Sequence, residues 1–162
     1  MKVAIIMGSD SDWPILKPAY ELLKQFGVEA EVIVASAHRT PAKVQEIVTT
    51  APTRGVGAFI SAAGAAAHLG GVIASYTTLP VIGVPINATP LNGMDALLST
   101  VQMPSGIPVA TMAVNGAKNA AIFAVEMFAL SDKVLAEKLV AYRQKMVEEV
   151  EKKAAHVAQQ IG

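Results

Sequence analysis

Histidine and arginine stand side by side at His38 and Arg39, within Ser36-Ala37-His38-Arg39-Thr40-Pro41. Imidazole can give and take a proton near neutral pH, and a guanidinium forms forked, charge-assisted bonds to phosphate. A second polar group, Gly8-Ser9-Asp10-Ser11-Asp12, comes directly before a stretch with helical periodicity. Its hydroxyls and the free N–H groups of a helix start could accept an anion, most naturally a phosphate. Asp12 could accept hydrogen bonds from sugar hydroxyls or simply cap the helix. His68 lies in a small-residue segment and could line a pocket or cap a helix beginning there, while His156 falls in a charged tail and reads as solvated. These residues suggest a pocket for a small phosphorylated sugar with one proton-transferring histidine. They do not name the reaction.

Other chemistries lack their residues. The first turn has no G-x-x-x-x-G-K-[ST] and no G-x-G-x-x-G, and no G-x-S-x-G occurs. Three scattered histidines and no cysteine give no metal-ligand set, so no metal and no cofactor are expected. Thirteen basic residues balance thirteen acidic ones, which leaves no broad positive field for nucleic acid or an anionic membrane. The amino-terminal apolar run is too short for a signal peptide. The long Ala- and Gly-rich middle is too weakly apolar for a membrane helix. A cytoplasmic location is the default expectation.

The elements that would position these groups recur as a unit. "KVAIIM", "EAEVIVA", "VGAFISA", "LPVIGVP" and "IPVATMAV" are short apolar runs, each followed by a helical segment. Continuous rather than alternating apolar runs predict strands buried on both faces of a parallel sheet with helical crossovers. The predicted fold is α/β, a flavodoxin-like three-layer α/β/α sandwich on a five-stranded parallel sheet. Residues 1–162 read as a single domain, with a core over 1–130 and a helical extension over 131–162. Thr40 is expected as a helix N-cap, with Pro41 in the first helical position. Ligands in such sheets bind beyond the carboxyl ends of the strands, where Gly8 to Asp12, Ser36 to Arg39 and Gly64-Ala65 all fall.

Charge distribution adds an expectation about assembly. Between Gly55 and Val125 the only Asp, Glu, Lys or Arg residues are Asp95 and Lys118. So long an uncharged span predicts helix faces covered by other copies of the chain. The tail, with Leu135, Leu139, Tyr142, Met146, Val150 and Val157 at helical spacing, is expected to form a long amphipathic helix packing on a neighbouring subunit.

"GSDSDW", "SAHRTP", "AAAHL", "LPVIGVP", "LNGMDALLSTVQMP" and "GIPVAT" together resemble the bacterial PurE family, in order and at family spacing from Lys2 to the start of the tail. The resemblance implies a step of purine biosynthesis, in which a carboxylate moves from the exocyclic N5 of an aminoimidazole ribonucleotide to ring carbon C4 without metal, ATP or biotin. It implies His38 as the general acid/base. Ser9, Asp12 and Arg39 would be substrate contacts, with Ser11 and Ser36 as helpers. His68 and the loop with Gly64 and Ala65 would lie near the transferred carboxylate. It further implies a homo-octamer, and a functional link to the synthetase that makes the substrate. Direct carboxylation by carbon dioxide, or a noncatalytic ribonucleotide-binding oligomer that could dispense with His38, are the alternatives. The family's third loop usually reads "GAGGAAHLPG". Here Ala62 and Ala65 replace glycines, Gly70 replaces proline, and Ala96 stands where serine is usual. An alanine at a position needing positive φ would cost about 1 kcal/mol or more; otherwise the methyls only narrow the pocket.

Overall fold

The computed structural model describes residues 1–161. Five strands, β1 (Lys2–Met7), β2 (Glu29–Val34), β3 (Val56–Gly64), β4 (Val81–Ile86) and β5 (Ala110–Thr111), form one sheet in the order β2-β1-β3-β4-β5. Every pairing is parallel. Helices α1 (Trp13–Phe26), α2 (Pro41–Thr49), α3 (Leu69–Ser75), α4 (Met94–Val101) and α5 (Ala117–Ala129) follow the strands in turn, with helices on both sides of the sheet. This is the predicted flavodoxin-like arrangement.

Burial explains why the central runs are continuously apolar. Residues Val3 to Met7 of β1 and all of β4 are buried, as is most of β3. On one face Ala4, Ile6 and Phe59 pack with Val44 and Val48 of α2 and with Leu69 and Ile73 of α3. Helix α1 turns back onto the sheet through Gly27, whose φ of +80° lets its N–H bond the carbonyls of Leu23 and Lys24.

The edges depart from the expectation of two buried faces. β2 is the outer strand beside β1, and Val32 and Val34 stay exposed at 38% and 45%. β5, expected along "IPVATMAV", is two residues long and pairs only as Ile82 with Ala110 and Gly83 with Thr111. Pro104 and Pro108 lack the N–H groups a ladder needs, and Gly106 turns the chain at φ +94°.

Contacts divide the chain into two compact units, Met1–Ala124 and a second beginning at Val125. The second contains α6 (Lys133–Ile161). Asp132 caps this helix, its carboxylate accepting from Val134 N at 2.9 Å and Leu135 N at 3.1 Å. Leu135 is buried, whereas Met146, Val150 and Val157 are exposed. Among the described residues no helix is long and apolar enough to cross a membrane.

Candidate active site

The strand order reverses direction at β1, whose neighbours β2 and β3 lead away to opposite sides. The carboxyl ends of these three strands frame a cavity of about 340 Å³, at the place where open α/β sheets bind ligands. Three loops, built by different local rules, form it.

The first loop follows β1 and anchors to β3 where Gly8 N–H donates to Ala62 O at 3.1 Å. Ser9 Oγ accepts from Ser11 N at 3.3 Å, and the Asp12 carboxylate accepts from Ser9 N at 3.3 Å. The loop thus caps itself into a 3-10 turn over Asp10–Asp12 before α1. Ser11 Oγ donates to Ser9 Oγ at 2.9 Å. Ser9, Ser11 and Asp12 all line the cavity, so capping and lining are combined in the same residues. Burial pushes the Asp12 carboxyl above its ordinary 3.8; the bond from Ser9 N–H pulls it down, and nearby Asp10 raises it.

The second loop is closed by short hydroxyl side chains. Ser36 N–H donates to Thr40 Oγ1 at 2.9 Å, Thr40 Oγ1 donates back to Ser36 O at 3.1 Å, and Arg39 N–H donates to Ser36 Oγ at 3.2 Å. Thr40 occupies the N-cap position as expected, but its side chain makes no cap bond to α2. Its hydroxyl is committed to Ser36, and Pro41 starts the helix. The closed turn presents His38 and Arg39, both exposed, to the cavity with Ser36. Among the described residues no carboxylate forms an ion pair with Arg39. Its Nη2 donates to Gly8 O at 2.8 Å and ties the second loop to the first, leaving the guanidinium's other N–H groups for a ligand.

The third loop leaves β3 at Gly64. A Cβ there would sit 2.6 Å from Ala88 Cβ and 3.3 Å from Ile86 O, so the close approach of β4 requires glycine. Ala65 follows with φ +54°. That settles the open alternative at this substitution: this alanine occupies the left-handed region where a methyl costs roughly 1–2 kcal/mol. Ala62 is different, a buried residue in regular β3 where alanine is unstrained. Gly70 is explained by its neighbour, since a Cβ there would lie 2.8 Å from Ser61 Oγ. Ala96 is buried in α4 and its carbonyl accepts from Thr100 Oγ1 at 2.7 Å; nothing in the structure explains the loss of a serine there.

Gly64 and Ala65 line the cavity with Ser9, Ser11, Asp12, Ser36, His38 and Arg39, but His68 does not. It sits at the head of α3 and makes no side-chain cap bond. Its Nδ1 lies 2.9 Å from His38 Nε2, the rings meeting edge to face at 5.0 Å. One imidazole N–H donates to the lone pair of the other, so the two rings fix each other's tautomers. His68 also borders a second cavity of about 540 Å³ against α4. Among the described residues no group of three or more His, Cys, Asp or Glu could hold a metal.

Sequence reading missed Ala88, Leu69 and Ala66, which complete the cavity's apolar wall. Ala88 had a signal, since it closely follows the end of β4. It also missed Ser99, whose hydroxyl accepts from Ala67 N at 3.0 Å. No local pattern points from α4 to that loop.

Comparison with known proteins agrees with this fold. The family model for AIR carboxylase matches residues 2–149. N5-carboxyaminoimidazole ribonucleotide mutase of Thermotoga maritima is 49% identical over 161 residues, covering 99% of this chain and 94% of the relative. The protein of that name from Methanocaldococcus jannaschii is 56% identical over 148 residues, covering 91% and 92%. Two solved structures from Treponema denticola, PurE and a substituted PurE2, superpose with TM-scores of 0.83 and 0.84 at 28% identity, each covering 94% of the solved chain. The chain therefore belongs to the AIR carboxylase family, the PurE family.

Proposed function

We propose that the chain is an N5-carboxyaminoimidazole ribonucleotide mutase, an isomerase of purine biosynthesis that gives 4-carboxy-5-aminoimidazole ribonucleotide. The observation that carries the reading is the junction of two chemistries in one cavity: a hydroxyl-rich, helix-opening loop beside Arg39 for a sugar phosphate, and His38 opposite a wall of small residues.

The steps derive from that arrangement. Arg39 and the Ser9–Asp12 loop hold the phosphate and ribose, with Ser36 bracing the second loop. His38, as imidazolium, gives its proton to N5 while the N5–carboxylate bond breaks and carbon dioxide forms. The electron-rich C4 then attacks the carbon dioxide, and the neutral imidazole removes the C4 proton. His38 ends as it began, so no net proton enters or leaves. Escape to water would waste the carbon dioxide, and Gly64, Ala65, Ala66 and Ala88 offer it a wall without side-chain hydrogen-bonding groups. His68, through its bond to His38, holds the imidazole in place.

Assembly belongs to the same reading. Met94, Leu98 and Val101 form an exposed apolar stripe on α4 with Leu91 beside it, which supports a homo-oligomer, on family grounds an octamer, with α6 packing on a neighbouring subunit. Light scattering that finds a monomer at micromolar concentration refutes this. We place the protein in the cytoplasm, next in sequence to the synthetase that makes its labile substrate.

Absorbance assays separate the mutase from the family's other named activity. Purified protein is offered N5-carboxyaminoimidazole ribonucleotide or, separately, aminoimidazole ribonucleotide with bicarbonate. Fast product from the first alone is expected; equal or faster product from the second would make the chain a direct carboxylase, and conversion of neither would leave a ribonucleotide-binding oligomer.

A further inference from the structure

Helix α4 does not need a serine at position 99. Ser99 Oγ donates to Asp95 O at 2.7 Å, a back-bond one turn down that slightly disfavours helices. That bond orients the hydroxyl's lone pair outward, where Ala67 N–H donates to it at 3.0 Å. Ala67 is buried, so without this partner its N–H would be left unsatisfied. On one side of Ala67 lies the left-handed Ala65, whose carbonyl is 3.4 Å from the same hydroxyl. On the other is His68, whose N–H closes a tight turn onto Ala66 O at 2.9 Å and whose ring meets His38.

We propose that Ser99 is a positioning residue of the active site. It clamps the Ala65–Ala67 loop in its strained turn, which keeps the small-residue wall closed and holds His68 against His38. The proposal rests on the mutase reading for its catalytic consequence but not for the clamp itself. In the reaction, loosening the loop frees the His38 imidazole as well as the wall, so carbamate cleavage slows without stopping. His38 still protonates N5 and the N5–carboxylate bond still breaks, but carbon dioxide escapes before C4 attacks it. Aminoimidazole ribonucleotide is then released as a by-product.

Ser99→Ala removes the clamp without weakening α4, because alanine is the better helix former. Ser99→Thr keeps the hydroxyl, and the cavity bordering Ser99 has room for the extra methyl. Two readouts are compared across wild type, Ser99→Ala and Ser99→Thr. In Ser99→Ala, kcat should fall by about tenfold with KM changed less than about threefold, and aminoimidazole ribonucleotide should appear as a measurable fraction of turnover; Ser99→Thr should restore both. Hydrogen exchange at the Ala67 amide, read by NMR in ligand-free protein, should speed up at least about tenfold in Ser99→Ala and remain slow in Ser99→Thr. Unchanged Ala67 exchange in Ser99→Ala overturns the clamp. Faster exchange with wild-type kcat and no by-product overturns its catalytic role. If wild-type protein converts neither substrate, the mutase reading fails while the exchange result still decides the clamp.

Discussion

Replacing Ala65 by glycine should make the protein more stable, although most substitutions beside an active site do the reverse. Ala65 holds φ at +54°, where a Cβ costs an L-residue roughly 1–2 kcal/mol. Glycine removes that strain but returns about 0.5–1 kcal/mol through its greater freedom in the unfolded chain. The methyl is exposed, so its loss forfeits little buried surface. The difference spans about 0–1.5 kcal/mol in favour of Ala65→Gly, and its midpoint of about 0.75 kcal/mol raises Tm at this chain length by about 2–3 °C. Thermal and urea unfolding of both proteins at one fixed protein concentration measures it. A loss of stability beyond about 0.5 kcal/mol would mean that the left-handed turn carries no strain, and the reasoning would fail.

The cavity residues yield contrasting outcomes. His38→Asn should abolish turnover while leaving ligand affinity within about tenfold, whereas Arg39→Ala should act mainly on binding, weakening it by about tenfold or more through loss of a charge-assisted phosphate contact; calorimetric titration beside the rate assay separates the two. Asp12 supplies a pH dependence. Its carboxyl is held above 3.8 mainly by burial, so between that value and its raised one the folded protein binds more protons than the unfolded. Stability therefore falls as pH rises through this window, and Asp12→Asn should flatten that slope. Sugar hydroxyls donate more strongly to the ionised carboxylate than to the neutral acid, so wild-type affinity for the ribonucleotide should rise over the same window; a pH-independent affinity there would remove Asp12 from the ribose site.

The sheet's centre was legible because its chemistry is local. Buried on both faces, β1, β3 and β4 read as unbroken apolar runs, and Pro41 marks a helix start by its own conformational limits. Strand order was not legible, which is why β2 was expected to be covered when Val32 and Val34 stand exposed at an edge. The same limit applies to β5, where the prolines before it outweigh an apolar pattern. In the site, residues at strand ends could be anticipated from the parallel sheet. The left-handed conformation of Ala65 could be posed only as an alternative, since it is set by where β4 approaches Gly64. Ser99 and the pairing of His68 with His38 depend on contacts between residues about thirty positions apart. No periodicity or local motif encodes them.

The most direct test of the central claim tracks the carboxylate itself. N5-carboxyaminoimidazole ribonucleotide labelled with carbon-13 in its carbamate is mixed with enzyme in excess unlabelled bicarbonate, and the product is analysed before the free substrate decays. Transfer within the cavity predicts that the C4 carboxylate keeps the label. Product carrying the unlabelled carbon of the bulk pool would contradict it, because the carbon dioxide would then have come from solution.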